Sequence, residues 1–120
     1  MKWTFTGDAP IYAQLMDQLK AGIVSGEFPP GGRLPSVREL AAEAGVNPNT
    51  MQRSLSELER DGLVVSQRTA GRFVTEDEGV IEHTKEQLAQ GHIQTFLTAM
   101  GALGYSRDQA VGLLSRKEEL

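Results

Sequence analysis

The stretch VNPNTMQRS, Val46 to Ser54, decides how this chain is read. Asn47 has the side chain of an N-cap, whose oxygen accepts a backbone N–H two or three residues on. Pro48 then falls at the first helical position, where its missing N–H costs nothing and its fixed φ suits a helix. These two residues account for a helix start and leave Asn49, Thr50, Gln52 and Arg53 without a local role. On a wheel at about 100° per residue, Met51, Leu55 and Leu58 share one side and face a core, while Asn49, Arg53, Ser56 and Arg60 lie opposite. Thr50 and Gln52 flank the two sides near the N-terminus, and Glu57, Glu59 and Asp61 crowd the other end. A DNA-recognition helix inserts its N-terminal residues into the major groove while its far end lifts away. Amides and donors in the first two turns, with carboxylates where phosphate must be avoided, meet that demand. Asn and Gln pair with adenine edges, Arg with guanine, and the Thr methyl with the thymine methyl. Solvation alone explains a polar helix face equally well, so the neighbouring elements decide.

Upstream, Ser36 and Glu39 form a capping box into a helix with Val37, Leu40, Ala41 and Ala44 on its buried face, and Gly45 ends it. Before that, SGEFPPGGRLP must be a loop. A first helix from Pro10 carries Ile11, Leu15, Leu19 and Ile23 every four residues, with Tyr12, Met16 and Val24 widening the stripe. Residues 3–5 predict a short edge strand, with Trp3 and Phe5 as small-core packing. Downstream, Gly62 stops the third helix, and LVVSQ, RTAG and RFVTE read as a β-hairpin. Helix, helix, tight turn, helix, hairpin is the winged helix-turn-helix plan. The predicted fold is thus mostly α with a small β-hairpin: a winged domain over residues 1–75 and a short helical tail over 76–120. The tail opens on an acidic junction, EDEGVIEH. It continues with one helix striped by Ile93, Phe96, Leu97, Met100 and Leu103, and another begun by a Ser106–Gln109 capping box.

The net charge of -4 argues weakly against nucleic acid, but its distribution does not. Residues 1–75 hold eight Lys/Arg against eight Asp/Glu; residues 76–120 hold four against eight. Six arginines and no lysine lie between Arg33 and Arg72. Arginine suits planar, multi-donor contacts to phosphate and guanine. The absence of cysteine excludes disulfides and thiolate metal sites, and no apolar run reaches membrane length, so a cytoplasmic protein without membrane contact is expected. His83 and His92 have no ligand partners in the pattern, so no metal is expected. No nucleophile–base motif or phosphate-binding loop is present, and neither catalysis nor a cofactor is predicted.

PIYAQL, FPPGGRLPSVRELA, VNPNT and LERDGLV stand in the order and spacing of the DNA-binding domain of GntR-family bacterial transcription regulators, and residues 10–75 resemble it. The short tail is similar to that of the YtrA-like subfamily. The resemblance implies a homodimer on a palindromic operator in double-stranded DNA. It also implies a repressor, of a transporter operon including its own gene. Carried across residue by residue, it assigns DNA contacts to Arg38, Asn47, Asn49, Thr50, Gln52 and Arg53, with Arg33 just before LPSVREL as a further candidate. The wing departs from the family's RGKGTFV: this chain has RTAGRFV, with Thr69 in place of the first glycine and Arg72 in place of the usual threonine. Arg68 and Arg72 are then the candidate wing contacts to phosphate or minor groove.

The unpartnered tail stripe of Ile93, Phe96, Leu97, Met100 and Leu103 is the expected dimer interface. A tail this short is too small to enclose a drug-sized ligand within one subunit, for which pockets run to about 300–1,000 Å³. A small-molecule effector, of unknown identity, is left with the space between subunits or the acidic junction, and control by protein level alone is the competing expectation. The rival function is a winged-helix module that binds protein and leaves DNA alone; its recognition face would be poor in Asn, Arg and Thr.

Overall fold

Three short helices close their apolar stripes on one another in the computed structural model, which describes residues 1–118. Helix α1 (Ile11–Val24) buries Leu15, Leu19 and Ile23; α2 (Val37–Ala44) buries Leu40, Ala41 and Ala44; α3 (Pro48–Arg60) buries Met51, Ser54, Leu55 and Leu58. The buried Ser54 hydroxyl donates to the Thr50 carbonyl oxygen (2.9 Å), so its polarity is satisfied inside the helix. The expected caps are present. Ser36 Oγ accepts from the Glu39 N–H while the Glu39 side chain accepts from the Ser36 N–H. The turn between α2 and α3 is tight because Gly45 takes φ +71°, a left-handed value that any Cβ would oppose.

Strand β1 (Val64–Gln67) pairs antiparallel with β2 (Gly71–Val74), with Val64 opposite Val74 and Gln67 opposite Gly71. Val64 and Val74 anchor this wing in the core beside Leu63. The segment before α2 runs along the outer edge of β2: Gly31 N–H donates to Val74 O (2.9 Å), Val74 N–H to Gly32 O (2.9 Å) and Leu34 N–H to Arg72 O (2.8 Å). Leu34 enters the core at the end of that segment.

Two expectations need correction. Residues 3–5 form no strand. The segment is held to α1 by side chains instead: Gln18 accepts from Thr4 N–H (2.9 Å) and donates to Thr4 O (2.8 Å), and Gln14 does the same with Thr6 (2.8 and 2.9 Å). Two glutamines one helical turn apart thus stand in for the partner strand, and Trp3 and Phe5 pack against the core as expected. The acidic stretch EDEGVIEH is also less of a junction than its charges suggest. Asp77 Oδ1 caps a helix by accepting from Gly79 N–H (2.9 Å) and Val80 N–H (3.3 Å), and α4 (Glu78–Ala102) begins there, with Val80 and Ile81 packed on the core.

The chain divides into two compact units, Met1–Lys85 and Glu86–Leu120. In the second, α5 (Arg107–Glu118) follows a turn at Gly104 and opens on the expected box: Gln109 N–H donates to Ser106 Oγ (3.2 Å) and Ser106 N–H to Gln109 Oε1 (2.9 Å). Ala110 is fully buried there, whereas Ile93 is 48% exposed and Leu103 is 74% exposed. Phe96, Leu97 and Met100 are half-buried. A shallow concavity of about 500 Å³, lined by Tyr105, Gln109, Gly112, Leu113 and Arg116, opens to solvent. Among the described residues, no helix is long and apolar enough to cross a membrane.

Candidate nucleic-acid interface

Helix α3 presents the predicted residues as the wheel requires. With Met51, Leu55 and Leu58 fully buried, Asn49, Gln52 and Arg53 are exposed and Thr50 is half-buried. Asn47 is exposed, and its Oδ1 accepts from Asn49 N–H (2.8 Å) and caps the helix, while its NH2 group has no protein partner among the described residues. Gln52 Nε2 lies 3.3 Å from Ser56 Oγ, a weak hold that a base edge can displace. The Arg53 guanidinium carbon stands 4.2 Å from the centre of the Tyr12 ring. Arg38 is exposed in the first turn of α2, and Arg68 is exposed in the hairpin turn. Backbone N–H groups at the two helix N-termini favour anions nearby.

The wing differs from expectation in its chemistry. Arg72 Nε donates to Glu59 Oε1 at 2.6 Å, and Ser66 Oγ donates to the same oxygen at 2.7 Å. The Arg72 and Glu59 side chains are only 22% and 30% exposed. Partial burial pushes the Glu59 carboxyl upward, but the hydrogen bonds from Ser66 and Arg72 and the Arg72 charge outweigh it and hold the group below the ordinary glutamate range. Arg72, expected on phosphate, thus also ties the wing to α3 through Glu59. Glu59 and Ser66 were not anticipated as participants. Three acids at the end of α3 followed by an arginine in the second strand of the hairpin was the available signal.

Thr69 carries no backbone strain, since among the described residues none other than glycine has positive φ. The glycine that remains, Gly71, does need its freedom: φ is +107°, and a Cβ there would stand 3.2 Å from Arg33 Nε. Arg33 thus lies against the wing turn, itself exposed, and lines an open groove of about 610 Å³ with Leu34, Pro35, Ser36, Val37, Glu39, Gly71 and Arg72. His83 and His92 are exposed.

Residues 11–74, this whole arrangement, match the family described as bacterial regulatory proteins, gntR family. The chain belongs to the GntR family. It is a DNA-binding transcriptional regulator on a winged helix-turn-helix. The likeness continues into the tail: the chain is 39% identical over 105 residues to the HTH-type transcriptional regulator YhcF of Bacillus subtilis, covering 88% of this chain and 87% of YhcF. It is 41% identical over 87 residues to the HTH-type transcriptional repressor YtrA of the same organism, covering 68% of this chain and 67% of YtrA. Among solved structures, a GntR family transcriptional regulator from Listeria monocytogenes superposes with a TM-score of 0.83 at 33% identity, over 93% of this chain and 98% of that one. The DNA-binding domain of AraR in complex with its operator ORX1 superposes with a TM-score of 0.57 at 28% identity, over 62% of this chain and 96% of that one.

Proposed function

We propose that this GntR regulator represses transcription by binding, as a homodimer, an operator whose two halves are related by a two-fold axis. The observation that carries the reading is the division of α3. Its apolar side is wholly buried, and Asn49, Gln52 and Arg53 stand exposed in its first two turns beside an arginine-bearing wing. In this reading Asn49, Thr50, Gln52 and Arg53 meet base edges, and the free NH2 of Asn47 meets a base or the backbone at the groove edge. Arg38 and Arg68 meet phosphate, and Arg33 meets it from beside the wing turn. Arg72 is assigned to holding the wing in place. The direction of control is supported by the repressor YtrA among the similar proteins.

Residues 76–120 serve as the dimerisation tail. The half-exposed Ile93 and the largely exposed Leu103, in line with Phe96, Leu97 and Met100, make an apolar surface that a second copy would cover. The concavity in the tail is open on one side, so an effector of drug size would need walls from that second copy.

The test is footprinting and mobility shift on DNA upstream of the protein's own gene. Protection of two related half-sites about 10 bp apart, or a multiple of it, is the expected result. Equal affinity for that DNA and random DNA would overturn the proposal and favour a protein-binding winged helix.

A further inference from the structure

Arg53 projects from the exposed side of α3, yet its guanidinium does not stand alone, because the Tyr12 ring lies beneath it at 4.2 Å. Tyr12 is in the first turn of α1, half-buried, and is not among the side chains that α1 contributes to the core. Its ring instead leans against the recognition helix. Among the described residues no carboxylate pairs with Arg53, so the ring is the group that restrains it.

A guanidinium stacked on an aromatic face is held through its own face. Its five N–H donors lie in the plane and point outward, so the stack leaves them free for a base edge. An unsupported arginine samples many rotamers, and fixing one of them at binding costs free energy. A stack that exists before binding removes part of that cost. The benefit appears only where Arg53 finds its acceptor pair, because at a mismatched base pair the ordered guanidinium has nothing to meet.

We propose that Tyr12 is a positioning residue for base recognition: its ring holds the Arg53 guanidinium, in the unbound protein, in a stacked pose with the donor edge free. This rests on the reading of Arg53 as a base contact.

The probe is a duplex selected from a random-sequence pool by the wild-type protein, together with its single-base-pair variants. Arg53→Ala first identifies the base pair whose preference depends on Arg53. Tyr12→Leu is expected to lower the preference at that same base pair by about two- to fivefold, the worth of an exposed cation–π contact, and to leave the others unchanged. Tyr12→Phe keeps the ring and is expected to keep the preference. Tyr12→Leu on top of Arg53→Ala is expected to change no preference further. Tyr12→Gln, suited to a half-solvated site, repeats the measurement if Tyr12→Leu folds poorly.

A uniform loss of affinity at every base pair would overturn the positioning role and leave a structural one. A Tyr12→Phe variant as impaired as Tyr12→Leu would overturn it in favour of the hydroxyl. The failures are separable: Arg53→Ala with all preferences intact removes the base-reading assignment itself, whereas a relaxed Arg53→Ala with an unrelaxed Tyr12→Leu removes only the role of Tyr12.

Discussion

Replacing Arg72 by alanine separates two jobs that arginines in the wing can do. If Arg72 contacts phosphate, its loss flattens the plot of log K against log salt by about 0.9 for each contact removed. If it fastens the wing, its loss lowers stability and leaves the slope alone. The geometry favours the second outcome. The Nε–Oε1 distance of 2.6 Å and the Ser66 hydroxyl at 2.7 Å on the same oxygen make a charge-assisted pair that is mostly withdrawn from water. Fully exposed ion pairs are worth about 0.2–1 kcal/mol and hydrogen bonds to charged groups about 1.5–3 kcal/mol. A pair between these limits predicts a loss of about 1–2 kcal/mol, or roughly 5–10 °C in melting temperature for a unit of this size. The pH dependence follows from the lowered Glu59 value. A carboxylate whose folded pKa is depressed contributes fully above its unfolded value, about 4.3, and loses that contribution as pH falls through the folded value. The melting gap between wild type and Arg72→Ala is therefore constant from neutral pH down to about 5 and closes below the ordinary glutamate range. Thermal melts across pH, with salt titration of binding by fluorescence anisotropy, measure both quantities. An Arg72→Ala protein with an unchanged melt and a salt slope reduced by about 0.9 would refute the fastening role.

Arg53→Ala or Asn49→Ala is expected to cost roughly 1–3 kcal/mol on the selected site and to relax preference at single base pairs, with Arg60→Ala costing much less; anisotropy on base-pair variants checks this. Arg38→Ala and Arg68→Ala are expected to weaken selected and random DNA alike and to flatten the salt plot by about 0.9 per contact, with melts unchanged. Leu97→Asp, in the middle of the tail stripe, is expected to yield folded monomers by analytical ultracentrifugation that bind the operator poorly. A wild-type protein that sediments as a monomer at micromolar concentration would remove the dimer assignment.

What was legible in the sequence is what depends on local chemistry and on period. The caps at Ser36, Asn47 and Ser106 need partners two or three residues away, and the structure has each of them. The stripe through Met51, Leu55 and Leu58 needs only the helical repeat. The misread pieces depend on partners far along the chain. An extended segment at residues 3–5 looks like a strand because strand and side-chain-ladder conformations share a backbone; only the juxtaposition with Gln14 and Gln18 distinguishes them. Asp77 is the exception: its partners, the Gly79 and Val80 amides, lie only two and three residues on, but two flanking acids make it look like part of a charged run. Tyr12 and Arg53 belong to different periodic elements, and neither period foretells their stack. In the interface the residue types on α3 were readable, while the partners of Arg53 and Arg72 were not.

Those partners bear on how a domain with balanced charge approaches a polyanion. The carboxylates at the end of α3 lie close to the wing, where an uncompensated acid would repel phosphate. Glu59 is neutralised by Arg72 and further hydrogen-bonded by Ser66, and Glu57 stands 3.7 Å from Arg60. Two of the three acids at the end of α3 are thus paired within the domain, and the arginines Arg33, Arg38, Arg53 and Arg68 are all exposed. Pairing removes equal numbers of each sign and leaves residues 1–75 at zero net charge, so the field that DNA would meet depends on where the unpaired arginines lie. The placement of Arg72 is consistent with this arrangement. It adds no free charge to the wing and cancels the acid that stands nearest to it.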